Sequence, residues 1–374
     1  MTYVLFILML VALILVHEFG HLVMAKLFGV KVEEFSIGFP PRIGTIKIGE
    51  TDYSFGWLLF GGYVRMLGEN EEPNAEGRSA VAQDERSFAF KSGWSQAAIT
   101  VAGVLMNIIF AWAVFVAVFA IGISVDPSVP DPVLIPDTRY LSQTQVTILD
   151  TMPGSPAAAA GFHANDTVIK ATSGQYSLSA PMSTKELQSF IASQGTKTLT
   201  LTVERGAKEQ TITVKPSDSV IAGKAAIGVE LGDMATERLP LGVALVDGAK
   251  STWEAGVLTI EGFGQFFGTL FAGHANLNDV SGPIGIVVIG GQTLAAGLST
   301  AMIFLAAISI GLAVINFIPI PGLDGGRLLI ILIERIKGSP ISPHLLERMT
   351  LAGFALIIVF AVFVSYHDVM YYIL

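Results

Sequence analysis

The sequence predicts a multi-pass α-helical membrane protein with four transmembrane helices, a membrane-associated β-element and an inserted α+β domain. Three observations carry that expectation. The 374 residues are 52% hydrophobic and only 14% charged, with a mean hydropathy of +0.61, too apolar for an ordinary water-soluble enzyme. Four apolar runs, at about 3–24, 97–123, 298–318 and 350–373, reach the roughly 20 residues a helix needs to cross about 30 Å of hydrocarbon. Between the second and third runs, residues 126–280 have ordinary polarity and predict a water-exposed insert.

The first run carries neither a basic leader nor a small-residue cleavage site, so it is expected to span the membrane and not to be a secretory signal. Basic residues set the orientation. Lys26, Lys31, Arg42, Lys47, Arg65, Arg78, Arg86 and Lys91 lie between the first two runs, and Arg327, Arg335, Lys337 and Arg348 between the last two, which predicts that both loops are cytoplasmic. Both termini and the insert are then expected outside. A net charge of -9 with no basic stripe argues against a nucleic-acid partner. With no cysteine in the chain, any metal must be held by nitrogen and oxygen.

After the first run, residues 32–67 mix β-branched and aromatic residues with Gly and Pro, a pattern of strands and hairpin turns. The stretch around Phe55 to Tyr63 is too apolar for water, so this ribbon is expected to dip against the membrane-embedded helices. The polar segment 68–87 reads as a loop. Residues 144–216 read as a strand, a Gly/Pro turn, a short Ala-rich helix, another strand, then two alternating strands joined at Arg205-Gly206. From 241 to 272, Trp253, Val257, Ile260, Phe263, Phe267 and Leu270 recur at helical steps, predicting a helix that lies on the membrane surface or packs on the exposed domain. The following "SGPIGIVVIGG" is too short and glycine-rich to cross alone.

The chemistry begins inside the first run, with "HEFGH" at 17–21. His17 and His21 stand one helical turn apart on the same face, able to point at one ion, with Glu18 beside them. This is the H-E-x-x-H pattern in which two imidazoles bind Zn2+ and the glutamate handles a proton. Its setting sharpens the signal, because ionisable groups within a spanning helix are costly and mark function. From Tyr3, His17 lies about 21 Å along the helix at a rise of about 1.5 Å per residue, still within the slab.

A catalytic zinc keeps three protein ligands, so a third is required. The strongest candidate is Asp324 in "NFIPIPGLDGG", where Pro319, Pro321 and Gly322 are expected to break the third helix just past its middle. Its alternative is a turn residue, since L-D-G-G is good turn chemistry. Asn107 in the second run and Asn316 in the third either join helices or hydrogen-bond substrate and developing oxyanion.

These segments together resemble the site-2 protease family of intramembrane zinc metalloproteases, of the bacterial RseP type. The likeness is carried by "HEFGH", "GVLMN" and "NFIPIPGLDGG" in successive spans, and by "VEEFSIGFPPRI", "GGYVRML", "NLNDVSGPIGI" and "ERIKGSPIS". The insert "GSPAAAAGFHANDTVIKATSG" resembles the PDZ domains of bacterial envelope proteases, in one copy where the best-known enterobacterial members have two. The resemblance implies that His17, His21 and Asp324 hold Zn2+, that Glu18 is the general base, and that the Tyr53–Met66 region, with Gly61, Gly62 and Tyr63, receives an extended substrate strand. It implies a first membrane half at 1–125, a periplasmic PDZ domain at 126–225, an amphipathic membrane-surface linker at 226–296 and a second membrane half at 297–374. Substrates would be single-span membrane proteins such as anti-sigma factors, or remnant signal peptides, cut within the bacterial inner membrane toward its cytoplasmic half. A non-catalytic PDZ-bearing scaffold or receptor is the rival class, and a metal transporter a third. The glutamate between the histidines serves none of those rivals.

Overall fold

The computed structural model describes residues 1–69, 84–128, 131, 133–134, 138–205, 208–221, 224–274, 281–339 and 341–372. Most of the 68–87 loop, and the Gly206 end of the Arg205-Gly206 turn, fall outside those residues. The chain forms two compact units, one of Met1–Phe115, Thr252–Ala295 and Ala301–Leu374, the other of Val116–Ser251 with Ala296–Thr300.

In the first unit, α1 (Thr2–Leu27) leads into β1 (Val32–Ile48) and β2 (Thr51–Met66). Each strand bends, and the pair makes four rungs. Residues 42–48 pair with 51–56, 52–55 also pair with 34–37, and 32–37 pair in turn with 62–66. The order across the sheet is therefore 42–48, 51–56, 32–37, 62–66, which among the described residues leaves 42–48 and 62–66 as its two edges. The sheet is fastened by its apolar face, where Val32, Phe35, Met66 and Phe88 bury against Leu22 and Ala25 of α1 and Ile99 of the next helix.

That helix is α2 (Gly93–Ile121), which passes into β3 (Ile123–Val125) and the second unit. There, β4 (Gln145–Thr151), α3 (Pro156–Ala160), β5 (Thr167–Ser173), β6 (Tyr176–Ser179), α4 (Thr184–Gln194), β7 (Leu199–Arg205) and β8 (Lys208–Val214) follow in order. A hairpin of β9 (Ser217–Ile221) and β10 (Lys224–Ala226) precedes β11 (Val229–Glu237). The main sheet runs β3-β11-β4-β5-β7-β8, with β6 on β5. Its core is Ile148, Phe162, Leu187, Leu199 and Val203. β3, β6 and the β9–β10 hairpin are additions to the sequence expectation, and two further elements depart from it. α4 is an addition to it, although Ser183 and Glu186 form a full capping box at its start. Residues 229–237, expected in a linker, pair with β4 (229–234) and β3 (235–237) instead, because Gly232 and Asp233 interrupt the alternation by which a strand is recognised.

Asp166, wholly buried, takes two hydrogen bonds of 2.7 Å from Arg205 and one of 3.0 Å from the His163 N–H. Burial alone would raise its carboxyl, but these donors outweigh burial and hold it below the ordinary carboxylate range. The pair's contribution is thus complete above the unfolded value of about 3.9 and is lost as pH falls through the lower folded value. Asp166→Asn is expected to destabilise this unit by about 3 kcal/mol at neutral pH and to flatten its acid limb. Amide exchange along β4, β5 and β7 measures both; wild-type protection would refute the role.

α5 (Leu241–Phe271) is one continuous helix, whose Phe266 meets Phe360 of the last helix edge-on. α6 (Pro283–Ala296) is followed by α7 (Leu298–Phe317), α8 (Asp324–Lys337) and α9 (Pro343–Tyr372). The break carried by Pro319 and Pro321 is not inside a helix: α7 ends at Phe317, and a turn with Ile320 N–H on Ile318 and Leu323 N–H on Ile320 precedes α8. Asp368 of α9, wholly buried, accepts the N–H groups of Gly282 and Gly285 at 3.1 and 2.9 Å and so caps α6. Among the described residues, four helices (α1, α2, α7 and α9) are long and apolar enough to cross a bilayer.

Candidate metal centre

Three elements converge on the buried end of α1. His17 and His21 project from one face of that helix, their Nε2 atoms 3.3 Å apart. Asp324 arrives from the first turn of α8, where the positive end of the helix dipole favours a carboxylate. Its Oδ2 lies 3.2 Å from His17 Nε2 and 3.4 Å from His21 Nε2. Ligands about 2.0–2.2 Å from a tetrahedral zinc stand roughly 3.3–3.5 Å from one another, so this triangle has the dimensions of one face of that tetrahedron. All three ligand atoms lie within 4.8 Å of one another, and Asp324 Oδ2 is buried with no hydrogen-bond partner, a want that a cation would meet. The donor set of two imidazoles and one carboxylate suits zinc and leaves a fourth position open.

The second helix shapes the site through one stripe at i, i+4 and i+8. The Ile99 carbonyl receives His21 Nδ1 at 2.9 Å. Gly103 contributes absence: a Cβ there would stand 2.7 Å from His17 Cε1 and closer still to His21 Nε2. Asn107, wholly buried, sets its amide 3.3 Å from His17 Nδ1, and its own backbone carbonyl accepts Ser309 Oγ of α7 at 2.8 Å. With the amide nitrogen toward that imidazole, Asn107 Oδ1 is left without a hydrogen bond. Amide orientation is assigned from such networks, and exchanging O for N gives Oδ1 the Nδ1–H of His17. Both imidazoles then donate through Nδ1 and turn Nε2 lone pairs into the cleft, the usual arrangement behind a metal-binding histidine. Asn107 thus bonds to side chains of α1 and α7, the helix-joining one of the two roles, joining or substrate contact, that the sequence leaves open. Asn316 is half-buried in the last turn of α7 and hydrogen-bonds neither imidazole.

Glu18 lies on α1 between the histidines, partly buried and close enough to interact electrostatically with His17, His21 and Asp324. Its Cγ faces the 62–66 edge, 3.3 Å from where a Cβ on Gly62 would stand. Among the described residues no strand pairs on the outer side of 62–66, and Gly62 at its start packs against Glu18. Gly61 lies under the Phe39 ring, and Tyr63 stacks on the same ring at 6.2 Å. Tyr53 is differently placed. Its segment pairs on both sides, with 34–37 and with 42–48, so it has no edge left for an added strand. Its ring packs instead on Phe35, with Lys26 Nζ 3.4 Å from its hydroxyl. Sequence patterns do not single out Ile99 or the closeness of Gly103, although Gly103 stands four residues before Asn107 and hence on the same helical face.

The model of peptidase family M50 matches residues 5–360. A protein of Clostridium perfringens named as a zinc metalloprotease is 32% identical over 365 residues, covering 97% of each chain. The zinc metalloprotease RasP of Oceanobacillus iheyensis is 26% identical over 445 residues, covering 98% of each. With its apolar helices, its His-His-Asp cluster and this match over nearly its whole length, the chain belongs to peptidase family M50, the site-2 proteases, and is a zinc metalloprotease of the membrane.

Proposed function

We propose that this protein is an intramembrane endopeptidase that cuts single-span membrane proteins, including anti-sigma factors and remnant signal peptides, in regulated intramembrane proteolysis. His17, His21 and Asp324 hold the zinc and Glu18 is the general base. The observation that supports the reading is that 62–66, unpaired on its outer side among the described residues, carries Gly62 against Glu18, the neighbour in sequence of His17 in the His-His-Asp triangle.

A peptide bond inside a helix has its carbonyl hydrogen-bonded and its carbon shielded, so a spanning substrate must unwind before it can be cut. In lipid the freed N–H and C=O groups need partners, and the edge supplies them by strand addition. Zinc, when bound, supplies Lewis acidity, which lowers the pKa of water from about 15.7 to about 7. Glu18 takes the proton of the attacking water and returns it to the leaving amine nitrogen. Asn107 and the Ile99 carbonyl keep the imidazoles aimed while this occurs.

The module of β4 to β8 is read as a PDZ domain within 126–225, on the strength of its "GSPAAAAGFHAND" segment, with β11 completing its sheet. The two membrane halves, 1–125 and 297–374, then flank it and the segment that follows β11 in the chain. Basic residues in the two predicted cytoplasmic loops support a bacterial inner-membrane orientation with both termini and the PDZ domain periplasmic and the cut made toward the cytoplasmic half.

Val64→Pro tests the strand-receiving step. Leu67 N–H points inward to Lys31 O at 2.9 Å, and alternate N–H groups face opposite edges, so the N–H of Val64 faces outward. Proline removes that donor without breaking the pairing to β1. Purified protein is expected to cleave a single-span helical substrate about tenfold more slowly, with little change on an already extended peptide. Equal slowing of both would remove the edge from the reading.

A further inference from the structure

Beyond zinc and the general base, a carboxylate at the end of the receiving edge has two separate attachments. By the alternation that turns Leu67 inward, the N–H groups of Gly62, Val64 and Met66 face the open side. Glu69 Oε2 takes the last of them, Met66 N–H, at 3.2 Å. An added strand can use Gly62 and Val64, and then finds the next donor occupied. The other oxygen, Glu69 Oε1, accepts Arg327 Nη1 at 2.6 Å, while Arg327 Nη2 lies 3.4 Å from the Glu69 backbone carbonyl. The guanidinium also lies over the Phe88 ring, 4.5 Å from its centroid. Arg327 is on the first turn of α8, three residues after Asp324. One carboxylate therefore closes the strand edge with one oxygen and grips the helix that presents Asp324 with the other.

We propose that Glu69 and Arg327 are positioning residues that set the cleavage register. Glu69 is the stop against which an added substrate strand ends, and the ion pair holds that stop at a constant offset from His17, His21 and Asp324. The inference rests on the strand-receiving reading given above. The two side chains are suited to hold a fixed distance, being only 15% and 30% exposed. Arginine's planar fork, stacked on Phe88, fixes direction as well as distance where lysine would fix only charge. Without the stop, a strand can slide along the edge. Backbone donors and acceptors recur with a period of two, so a slide of two residues restores every hydrogen bond and moves the scissile bond by two.

The test maps cut positions by mass spectrometry, using the purified, zinc-loaded full chain and one single-span substrate. Wild type is expected to cut one dominant bond. Glu69→Ala and Arg327→Ala are expected to add products displaced by two residues, with KM little changed and kcat lowered about tenfold through misalignment. Glu69→Gln, whose single amide oxygen can accept from Met66 N–H or from Arg327 but not from both, and Arg327→Lys, which keeps the charge but not the fork, are each expected to leave displaced products as a minor share. A merely structural role would lower the melting temperature and leave the cut where it was. An unmoved single cut in the alanine variants, with zinc still bound, overturns the proposal. Should those variants fail to fold, an unmoved cut in Arg327→Lys overturns it equally. A wild type that makes no cut would instead sink the reading on which the proposal rests.

Discussion

Glu18→Gln is expected to abolish cleavage while one zinc per chain stays bound. The substitution keeps the side chain's length and its place on α1 beside the 62–66 edge, and it touches none of the three atoms that form the triangle. What it removes is the ability to take a proton from water and hand it to the leaving amine. General acid–base catalysis by a placed side chain is worth about 10² to 10⁴ in rate, so turnover should fall at least a hundredfold. Metal content by elemental analysis and turnover of a single-span substrate are read on the same preparation. Near-native turnover would show that Glu18 is not the base; loss of zinc together with activity would show that it helps to hold the ion.

Gly103→Ala is expected to empty the metal site without unfolding the helix that carries it. The new methyl would stand 2.7 Å from His17 Cε1 and press harder on His21 Nε2. Retreat of α2 would open its close contact with α1, where the Ala102 carbonyl lies against Gly20, and strain the Ser309 bond to the Asn107 carbonyl. The rings must turn instead, giving up their bonds to the Ile99 carbonyl and to Asn107. Loss of the partners that orient a liganding imidazole costs about 10- to 100-fold in metal affinity, and loss of the cleft itself should cost at least that much again. Alanine is the better helix former by about 1 kcal/mol, so helical circular dichroism should persist. Competition with a zinc chelator measures the affinity, and a wild-type value in the alanine variant would refute this account of the packing.

Part of this centre was legible because it is local. His17, Glu18 and His21 share a helix whose geometry alone sets them together, and an apolar run that carries three ionisable groups declares them. Asp324 was legible as a type, a carboxylate after a proline-broken helix, but its partners were not, since the bond to them closes a loop of roughly three hundred residues. The β-region was recognisable by composition, but composition does not show that Tyr53 lies in a segment paired on both sides while 62–66 lies at an edge. Each strand bends and pairs twice, and period-two alternation carries no record of which side a neighbour lies on. β11 escapes sequence reading because Gly232 and Asp233 break its alternation, and partnership with β4 overrides that weak local preference.

Alone, the sequence determined that an apolar span carries a histidine pair and a glutamate in the H-E-x-x-H pattern, because helix periodicity and the cost of charge in lipid act within a few residues. Tertiary structure alone decided that Asp324 completes the triangle, that Gly103 leaves room for the rings, that 62–66 lies at an edge of the described sheet, and that Glu69 ties this edge to α8 through Arg327. Those outcomes depend on distances between elements remote in the chain. They follow from close packing of whole helices and strands, in which a missing Cβ or a single outward N–H has consequences that no local pattern records.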